Sequence, residues 1–310
     1  MTKKAFLFPG QGSQFVGMGH DLYRTAPEAH KIFDLADDVL DIDIKSFCFS
    51  GPAESLKQTA VTQPAIFAHS IAALEVLKSR GLHPDLVAGH SVGELAALVA
   101  AGVMRVEDGF RVVSVRGHAM QVAGKIRPGT MAAVLGLNDD VMIRLCDDLS
   151  SSGHVTTANF NCPGQVVLSG EENAVEEALE KAKALGAKRA VLLPVGGAFH
   201  SALMQPAVTA LTDILDDVPF AQAQIPVIPN VTAESTRDPD LLKDLLIEQV
   251  ISPVRWTKSM QRLIVEGMTE ALEVGPGNVL KGLLRRIDRN IPVHEAGTLE
   301  AIEQLKGSSQ

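Results

Sequence analysis

A serine between two glycines is the residue best suited to nucleophilic chemistry in this sequence of 310 residues. Ser91 stands in the order Gly-x-Ser-x-Gly with Gly89 and Gly93. These glycines let a strand and the next helix approach closely, and they force the serine outward in a strained backbone conformation. The helix N-terminus then directs unpaired N–H groups and the positive end of its dipole at negative charge forming beside the hydroxyl. The motif therefore predicts a nucleophile with half of an oxyanion hole.

The same motif also fits a glycine-rich turn whose serine only caps a helix, and it occurs often by chance. The residues on either side of the motif favour a nucleophilic Ser91 over a capping one. A short apolar strand is predicted at 86–88, and the run after the serine is too apolar for a surface helix. The stretch 85–102 thus predicts a buried strand, a sharp turn and a long buried helix.

A nucleophilic serine needs a general base, and His200 is the candidate. It stands in the sequence GAFHS between a predicted strand and a predicted helix, where it could accept the serine proton and later return it. His90 is next to Ser91, but on so sharp a turn its ring should not reach the hydroxyl. We expect His69 to be a packed or partly exposed histidine. The alternative for His200, a helix cap or core histidine, leaves the serine without a partner.

The loop PGQGSQ follows a predicted strand at 4–8, at the sheet edge where open α/β sheets bind ligands. Backbone N–H groups around Gln11 could donate the second hydrogen bond to an oxyanion. An ordinary turn explains this loop equally well.

Two arginines lie in a mostly apolar helix predicted at 106–122. An arginine near a core needs an anionic partner, and its planar fork suits a carboxylate. For Arg111 we favour a surface ion pair with an acid such as Glu107 or Glu94. For Arg116, sequence position alone does not decide between an ion pair and a substrate clamp.

The order of predicted elements indicates an α/β protein with an insert. Predicted helices at 21–40 and 63–80 are amphipathic and should cover the body. Between 128 and 195 the pattern predicts strand, helix, strand, strand, helix and strand, at 131–136, 138–150, 155–161, 166–170, 172–186 and 189–195. This β-α-β-β-α-β order is the ferredoxin-like split pattern, so we expect a small subdomain at 128–195 and a larger body at 1–127 and 196–310.

Composition limits the possible functions. The net charge of −9 argues against broad binding to nucleic acid or anionic membrane. We expect no apolar run to approach membrane-spanning length, and the N-terminus loses its apolar character after Phe8, so we expect a cytoplasmic location. Cys48, Cys146 and Cys162 have no metal-type or redox-type spacing, which predicts reduced thiols and no metal site.

Several motifs together resemble the malonyl-CoA:acyl-carrier-protein transacylases of bacterial fatty acid synthesis. With Arg116, they are FPGQGSQ, TQPAIFAHS, GHSVGE, NFNCPGQVVLSG, GAFHS, SPVRW and EVGPGNVL. Each is weak alone, but their number, order and spacing make the resemblance specific, from Phe8 to about Leu284. It implies an α/β-hydrolase-like body with a ferredoxin-like insert and an active site in the groove between them.

The resemblance also implies catalytic roles. Ser91 would be acylated, and His200 would be general base and acid. Gln249 would orient the His200 ring through its main-chain carbonyl, in place of an aspartate; no convincing acidic third member is found by sequence. The chemistry would be ping-pong: the serine takes malonyl from malonyl-CoA and passes it to the phosphopantetheine thiol of acyl carrier protein.

The remaining implied roles concern the substrate. Backbone N–H groups of Gln11 and Val92 would form the oxyanion hole, and Arg116 would hold the malonyl carboxylate. Phe199 immediately precedes the histidine, and a bulky ring at this position resembles the malonyl-selective relatives. No cofactor is expected besides malonyl-CoA as donor substrate, and a monomer is expected.

Two rival functions stay open at this point. A serine hydrolase would use water in place of the carrier thiol, and nothing in the serine motif separates the two reactions. A non-catalytic carrier-binding relative is the other rival, for which an intact set of Ser91, His200 and Arg116 is poor evidence.

Overall fold

The larger of two sheets is parallel and carries the serine turn at one of its strand ends. A computed structural model describes residues 3–149 and 153–307. The strands of this sheet are β1 (Lys3–Phe8), β2 (Leu86–Gly89), β7 (Val227–Ile228), β8 (Met268–Glu273) and β9 (Val293–Glu295). Their order across the sheet is β7-β2-β1-β8-β9, and all four pairings are parallel. The apolar strands predicted at 4–8 and 86–88 are confirmed.

The smaller sheet is antiparallel. Its strands are β3 (Thr130–Leu135), β4 (Val155–Cys162), β5 (Gln165–Gly170) and β6 (Arg189–Leu192), in the order β4-β5-β3-β6. Together with two intervening helices they follow the predicted β-α-β-β-α-β order. The first of these helices ends at Asp148, so the predicted end at Ser150 lies outside the described residues. The last strand ends three residues earlier than predicted.

Helices surround the parallel sheet and cover one face of the antiparallel one. In chain order they are α1 (His20–Thr25), α2 (Pro27–Val39), α3 (Ile44–Phe49), α4 (Ala53–Leu56), α5 (Thr59–Ser79), α6 (Gly93–Ala100), α7 (Val106–Ile126), α8 (Asp139–Asp148), α9 (Glu172–Ala184), α10 (Gln205–Asp216), α11 (Pro239–Glu248), α12 (Trp256–Val265), α13 (Val279–Ile287) and α14 (Leu299–Gly307). A short 3-10 turn, Ala202–Met204, precedes α10.

Hydrogen bonds join the smaller sheet to the segment that precedes α12. The Phe160 N–H of β4 donates to the Val254 carbonyl at 2.9 Å, and the Val254 N–H donates to the Ala158 carbonyl at 2.8 Å. The segment before α12 thereby continues the edge of the smaller sheet, which fixes β4 against the body.

Three helical predictions were wrong in detail. The helix predicted at 21–40 is two helices, because Pro27 lacks an N–H and its ring blocks continuation from α1, whereas it fits the first position of α2. The helix after the serine turn is short, with eight residues. The helix predicted at 63–80 begins at Thr59 and is buried on all sides, so it is a core helix and no covering layer.

The core helix α5 is also long and strongly apolar. By length and composition α5 could cross a membrane, so the expectation that no run approaches that length is wrong. Within the structure, 89% of its most apolar window is buried. The α2 and α7 helices pack against it, which accounts for its apolar character in a folded core.

Candidate active site

The turn between β2 and α6 holds Ser91 in a left-handed conformation, with a φ of 53°. A Cβ on Gly89 would overlap the Gly93 carbonyl, and a Cβ on Gly93 would overlap the Phe8 carbonyl. Only glycine therefore permits this approach of strand and helix. The backbone has the strained geometry that the motif predicts, and such strain in a non-glycine residue is typical of functional sites.

His200 lies against this serine. Its Nε2 is 2.8 Å from the Ser91 Oγ, and its Nδ1 is 2.8 Å from the Gln249 carbonyl oxygen. Because a carbonyl only accepts, Nδ1 carries the proton and Nε2 is free to accept one from the hydroxyl. Burial, and then the charge of Arg116, lower the pKa of His200 to about 3, while the Gln249 carbonyl opposes the shift. The ring is therefore neutral at pH 7 and able to act as a base.

The Gln249 carbonyl is available because of its place on a helix. Gln249 is the residue after α11, where the last carbonyls have no intrahelical donor. The Ser252 N–H reaches the same oxygen at 3.4 Å, which leaves a second lone pair for the His200 ring. The acceptor implied by the resemblance is thus in contact with His200, and no carboxylate is hydrogen-bonded to that ring among the described residues.

Arg116 is buried, with 1% of its surface exposed, and its guanidinium faces the serine. Nη1 donates to the Gln63 Oε1 at 2.6 Å, and Nη2 donates to the Gln249 Oε1 at 2.8 Å and to the Ser91 Oγ at 3.3 Å. Within the described part of the chain it forms no ion pair, although a buried arginine was expected to have an acidic partner. Burial lowers its pKa to about 10, so it stays charged at neutral pH.

Arg111 is a surface residue in an ion pair with an acid, as favoured, but that acid is neither Glu107 nor Glu94. It pairs with Asp108 at 3.4 Å, one turn earlier on α7, and 46% of its side chain is exposed. Glu94 is fully buried and hydrogen-bonded elsewhere, so it is out of reach of a surface arginine.

A cavity of about 210 Å³ opens beside the serine, and both Gln11 and Val92 line it. Among the hydrogen bonds of residues 3–149 and 153–307, neither of these two backbone N–H groups has a partner. The Ser91 N–H, by contrast, is taken by the Asn230 Oδ1 at 2.7 Å. Two N–H donors without a partner beside the Ser91 hydroxyl are what an oxyanion formed at this position would need. Phe199 lines the same cavity.

Sequence reasoning missed Asn230, which ties the turn together. Its Oδ1 accepts from Ser91, its Nδ2 donates to the Gly89 carbonyl at 2.6 Å, and its backbone N–H donates to the Glu94 Oε2 at 2.8 Å. The only sequence signal was its place just after an apolar pair, Val227–Ile228, that forms a very short strand. Gln63 lies within the motif TQPAIFAHS but was given no role, and Glu94 was considered only as a surface partner of Arg111.

The other histidines near the site have structural partners, as expected. The His90 ring contacts the Asn161 Oδ1 at 2.9 Å and lies 5.3 Å from the Trp256 ring, centroid to centroid. His69 is buried in α5, and its Nε2 donates to the Gly297 carbonyl at 2.7 Å. Cys48, Cys146 and Cys162 are free and buried.

The spacing of Lys281, Arg285 and Arg289 in the sequence predicts a basic face on one helix. The helix α13 ends at Ile287, so Arg289 does not share a helical face with the other two residues. Lys281 pairs with Glu295 at 2.8 Å. A second basic pair, Lys188 and Arg189 at the start of β6, is exposed.

Comparison with known proteins places this geometry among acyl transferases. The family model described as "Acyl transferase domain" matches residues 5–298. The chain is 46% identical to the malonyl CoA-acyl carrier protein transacylase of Bacillus subtilis (strain 168), over 99% of this chain and 98% of that protein. An acyl-carrier-protein S-malonyltransferase structure from Burkholderia pseudomallei 1710b superposes with a TM-score of 0.95 at 40% identity, covering 98% of this chain and 99% of that one. A malonyl-transacylase solved in complex with its type II PKS acyl-carrier protein superposes with a TM-score of 0.96 at 38% identity, covering 99% of this chain and 100% of that one.

Proposed function

The chain belongs to the acyl transferase family, and we propose that it transfers the malonyl group from malonyl-CoA to the phosphopantetheine thiol of acyl carrier protein, in fatty acid synthesis. The names of its relatives support the donor and the acceptor, since they are malonyl CoA-acyl carrier protein transacylases. The observation that carries the proposal is local: a buried, charged Arg116 lies 3.3 Å from the Oγ of a serine paired with a neutral histidine.

The first half-reaction acylates the serine. His200 Nε2 removes the Ser91 hydroxyl proton as Oγ attacks the thioester carbonyl carbon of malonyl-CoA. The carbonyl oxygen becomes an oxyanion that accepts hydrogen bonds from the Gln11 and Val92 N–H groups. When the tetrahedral adduct collapses, the carbon–sulfur bond breaks, and the CoA sulfur takes the proton from the His200 imidazolium.

The second half-reaction reverses this sequence with a new thiol. His200 removes the proton of the phosphopantetheine thiol, whose sulfur attacks the Ser91 ester carbonyl. The oxyanion uses the same two donors, the ester carbon–oxygen bond breaks, and Ser91 Oγ recovers its proton from His200. The acyl group remains activated throughout, so the transfer should be readily reversible. The proposed chemistry uses no metal or redox cofactor.

The specificity of the reaction is assigned to Arg116. A malonyl group differs from an acetyl group by a carboxylate, and burying that charge is costly unless a cation receives it. Arg116 is charged, and its Nη2 already faces the hydroxyl to which the acyl group becomes attached. Its two other partners are neutral amide oxygens, so its charge is not consumed by a direct ion pair.

The test is the intact mass of the protein after mixing with malonyl-CoA alone. We expect a stable malonyl adduct in wild type and none in Ser91→Ala, which should stay folded because one hydroxyl contributes little to stability. Adding acyl carrier protein should remove the adduct. An adduct in Ser91→Ala would refute the assignment of the nucleophile, and rapid loss of the adduct in water without carrier protein would favour a serine hydrolase.

The proposal also covers the fold classes of the two parts of the chain, its location and its oligomeric state. We assign residues 128–195 to a ferredoxin-like subdomain, supported by the order of β3 to β6, and residues 1–127 and 196–310 to an α/β-hydrolase-like body, although residues 1–2, 150–152 and 308–310 lie outside the described part. A cytoplasmic location, a monomeric state, and the absence of nucleic-acid and membrane binding stay predictions.

A further inference from the structure

We propose that Glu94 is a positioning residue: through the side-chain amide of Gln249, it holds the Arg116 guanidinium in the orientation that receives the carboxylate of the acyl group. This inference rests on the proposed function, because it assumes that Arg116 binds that carboxylate. Glu94 lies in the first turn of α6 and is fully buried. It contacts neither the Ser91 Oγ nor the His200 ring among the hydrogen bonds of the described residues.

The amide of Gln249 is the link. Its Oε1 accepts from Arg116 Nη2 at 2.8 Å, and its Nε2 donates to Glu94 Oε2 at 2.9 Å and to the Ser91 carbonyl at 3.2 Å. An amide has one accepting end and one donating end. If it turned over, its N–H groups would face the arginine and its oxygen would face the carboxylate. Glu94 therefore selects the orientation in which Gln249 presents oxygen to Arg116.

Glu94 is itself held in place. The same Oε2 accepts the Asn230 N–H at 2.8 Å, and Asn230 is anchored to the serine turn. Burial raises the pKa of Glu94 to about 7, and the two donors and Arg116 counteract the shift. A protonated Glu94 could still accept through Oε2, with its proton on Oε1, which has no hydrogen-bond partner in the described part of the chain. The orienting contact therefore needs an oxygen acceptor and does not need a full negative charge.

The second amide on Arg116 is less constrained. Gln63 also presents Oε1 to the guanidinium, but among the described residues its Nε2 donates only to the Met120 sulfur, at 3.4 Å, a weak acceptor. The better-anchored amide is thus the one bound to Glu94. This arrangement keeps a carboxylate near Arg116 without letting it occupy the position that a malonyl carboxylate would take.

The experiment compares kcat/KM for acylation by malonyl-CoA and by acetyl-CoA in wild type, Glu94→Met, Glu94→Gln and Gln249→Met. Gln249→Met removes the amide but keeps the main-chain carbonyl that holds His200. We expect both methionine variants to lower the malonyl-to-acetyl ratio about 10- to 100-fold, the range for losing a hydrogen bond to a charged group. Glu94→Gln keeps an oxygen acceptor and should retain most of the wild-type ratio.

Matched controls are Asp108→Leu and Asp108→Asn. Asp108 is also a buried carboxylate, on the helix that carries Arg116, but it pairs with Arg105 and Arg111 at the surface. These variants should leave the ratio unchanged. A double variant, Glu94→Met with Gln249→Met, should have the ratio of Gln249→Met alone, because the two residues act in series.

Three results would overturn the inference: an equal loss of both substrates in Glu94→Met, a loss of the ratio in Glu94→Gln as large as in Glu94→Met, or multiplying effects in the double variant. Should Glu94→Met not fold, by circular dichroism, Gln249→Met must lose the ratio and Glu94→Gln must keep it, and any other pattern refutes the inference. The variant Arg116→Ala distinguishes failure of the proposed carboxylate site from failure of the positioning role of Glu94. If it leaves the ratio unchanged, the proposed carboxylate site is wrong; if it lowers the ratio while Glu94→Met and Gln249→Met do not, only the role of Glu94 fails.

Discussion

At the scale of single residues, the site contains two residues with strained backbone conformations, Ser91 and His200, and one buried cation, Arg116. His200 and Ser91 both have left-handed conformations, with φ values of 60° and 53°. Each such conformation costs a non-glycine residue about 1–3 kcal/mol and persists only where its surroundings enforce it. Here the glycine approach and the Asn230 hydrogen bonds enforce the serine turn, and the Gln249 carbonyl holds the histidine ring. The Ser91 hydroxyl and the His200 ring are therefore aligned with each other in the protein without substrate, as the proposed roles of nucleophile and base require.

Removing the base should slow both half-reactions. We expect His200→Ala to reduce the rates of acylation and of transfer to carrier protein by roughly 10²–10⁴, as for loss of a general acid-base catalyst. The rates are to be measured separately, by quenched-flow mass spectrometry of the acyl-enzyme. Acylation at the wild-type rate would mean that another group removes the serine proton.

The proposed binding of the malonyl carboxylate by Arg116 predicts how substrate preference should change when that residue is replaced. Arg116→Ala should cost roughly 2–5 kcal/mol of malonyl binding, as for truncating one partner of a buried charge pair. Acylation by acetyl-CoA should hold or rise, because acetyl lacks the carboxylate and because loss of the nearby cation makes His200 more basic. Arg116→Lys should rescue only part of the malonyl activity, since the planar fork is lost.

The measurement for these variants is the ratio of kcat/KM for malonyl-CoA to that for acetyl-CoA. Wild type and both arginine variants are compared under the same conditions. An equal fall for both substrates in Arg116→Ala would make Arg116 a structural residue and would place recognition of the carboxylate elsewhere.

At the scale of elements, the helix α13 forms one wall of the cavity and depends on a buried carboxylate. Glu273, at the end of β8, accepts the Leu280 N–H at 2.9 Å and the Lys281 N–H at 2.7 Å, at the helix N-terminus. Leu280 and Leu283 of this helix line the cavity. The carboxylate thus satisfies two of the donors that have no intrahelical partner.

The titration of Glu273 should be visible in stability. Burial is the largest cause that raises its pKa, from 4.5 to about 7, so between these values the folded protein binds more protons than the unfolded chain. Its contribution to the free energy of unfolding is therefore present below pH 4.5 and declines as pH rises towards 7.

The variant Glu273→Gln should remove that contribution. Urea unfolding at pH 5, 6 and 7 should show a decline with pH that is smaller than in wild type by up to about 1.4 kcal/mol per pH unit. Glu94, whose pKa is also raised to about 7, will keep part of the decline in both proteins. Parallel pH profiles for variant and wild type would show that Glu273 does not titrate in this range.

At the scale of the whole molecule, charge is the main constraint on partner binding. The net charge is −9, and acyl carrier proteins are expected to be acidic, so docking requires a local basic surface. Lys188 and Arg189 are exposed, and among the described residues no ion pair engages them. This pair is a simpler candidate than the α13 arginines, since Arg286 also donates to the Gln165 Oε1 at 3.1 Å.

Reversing these two charges should weaken docking alone. Lys188→Glu with Arg189→Glu should raise the KM for acyl carrier protein, more strongly at low salt, and leave acylation by malonyl-CoA nearly unchanged. The control reverses Lys181 and Lys183, which are exposed on α9 in the same part of the chain and pair with Glu177 and Glu180. Equal effects of the first variant on both half-reactions would assign these residues to stability or to CoA.

The sequence alone determined the features that depend on local pattern. Alternating or continuous apolar runs predicted the strands β1 to β6 in their chain order, because a strand must bury at least one face wherever it lies. The strands β7, β8 and β9 were not predicted. The pair of glycines predicted the serine turn, since close approach of backbones excludes a Cβ whatever the surroundings. The position of His200 between a strand and a helix was also visible as a local feature.

Only the tertiary structure decided which groups complete the site. The acceptor for His200 is a main-chain carbonyl, a group that every residue carries, so no side chain could indicate it without the resemblance. Asn230 and Glu94 gain their contacts from segments more than a hundred residues apart in the chain. The burial of α5 on all sides likewise depends on neighbouring helices that pack against it. These features arise from long-range packing, which brings residues that are distant in the chain into contact. The local sequence around each residue does not indicate which distant residues it will contact.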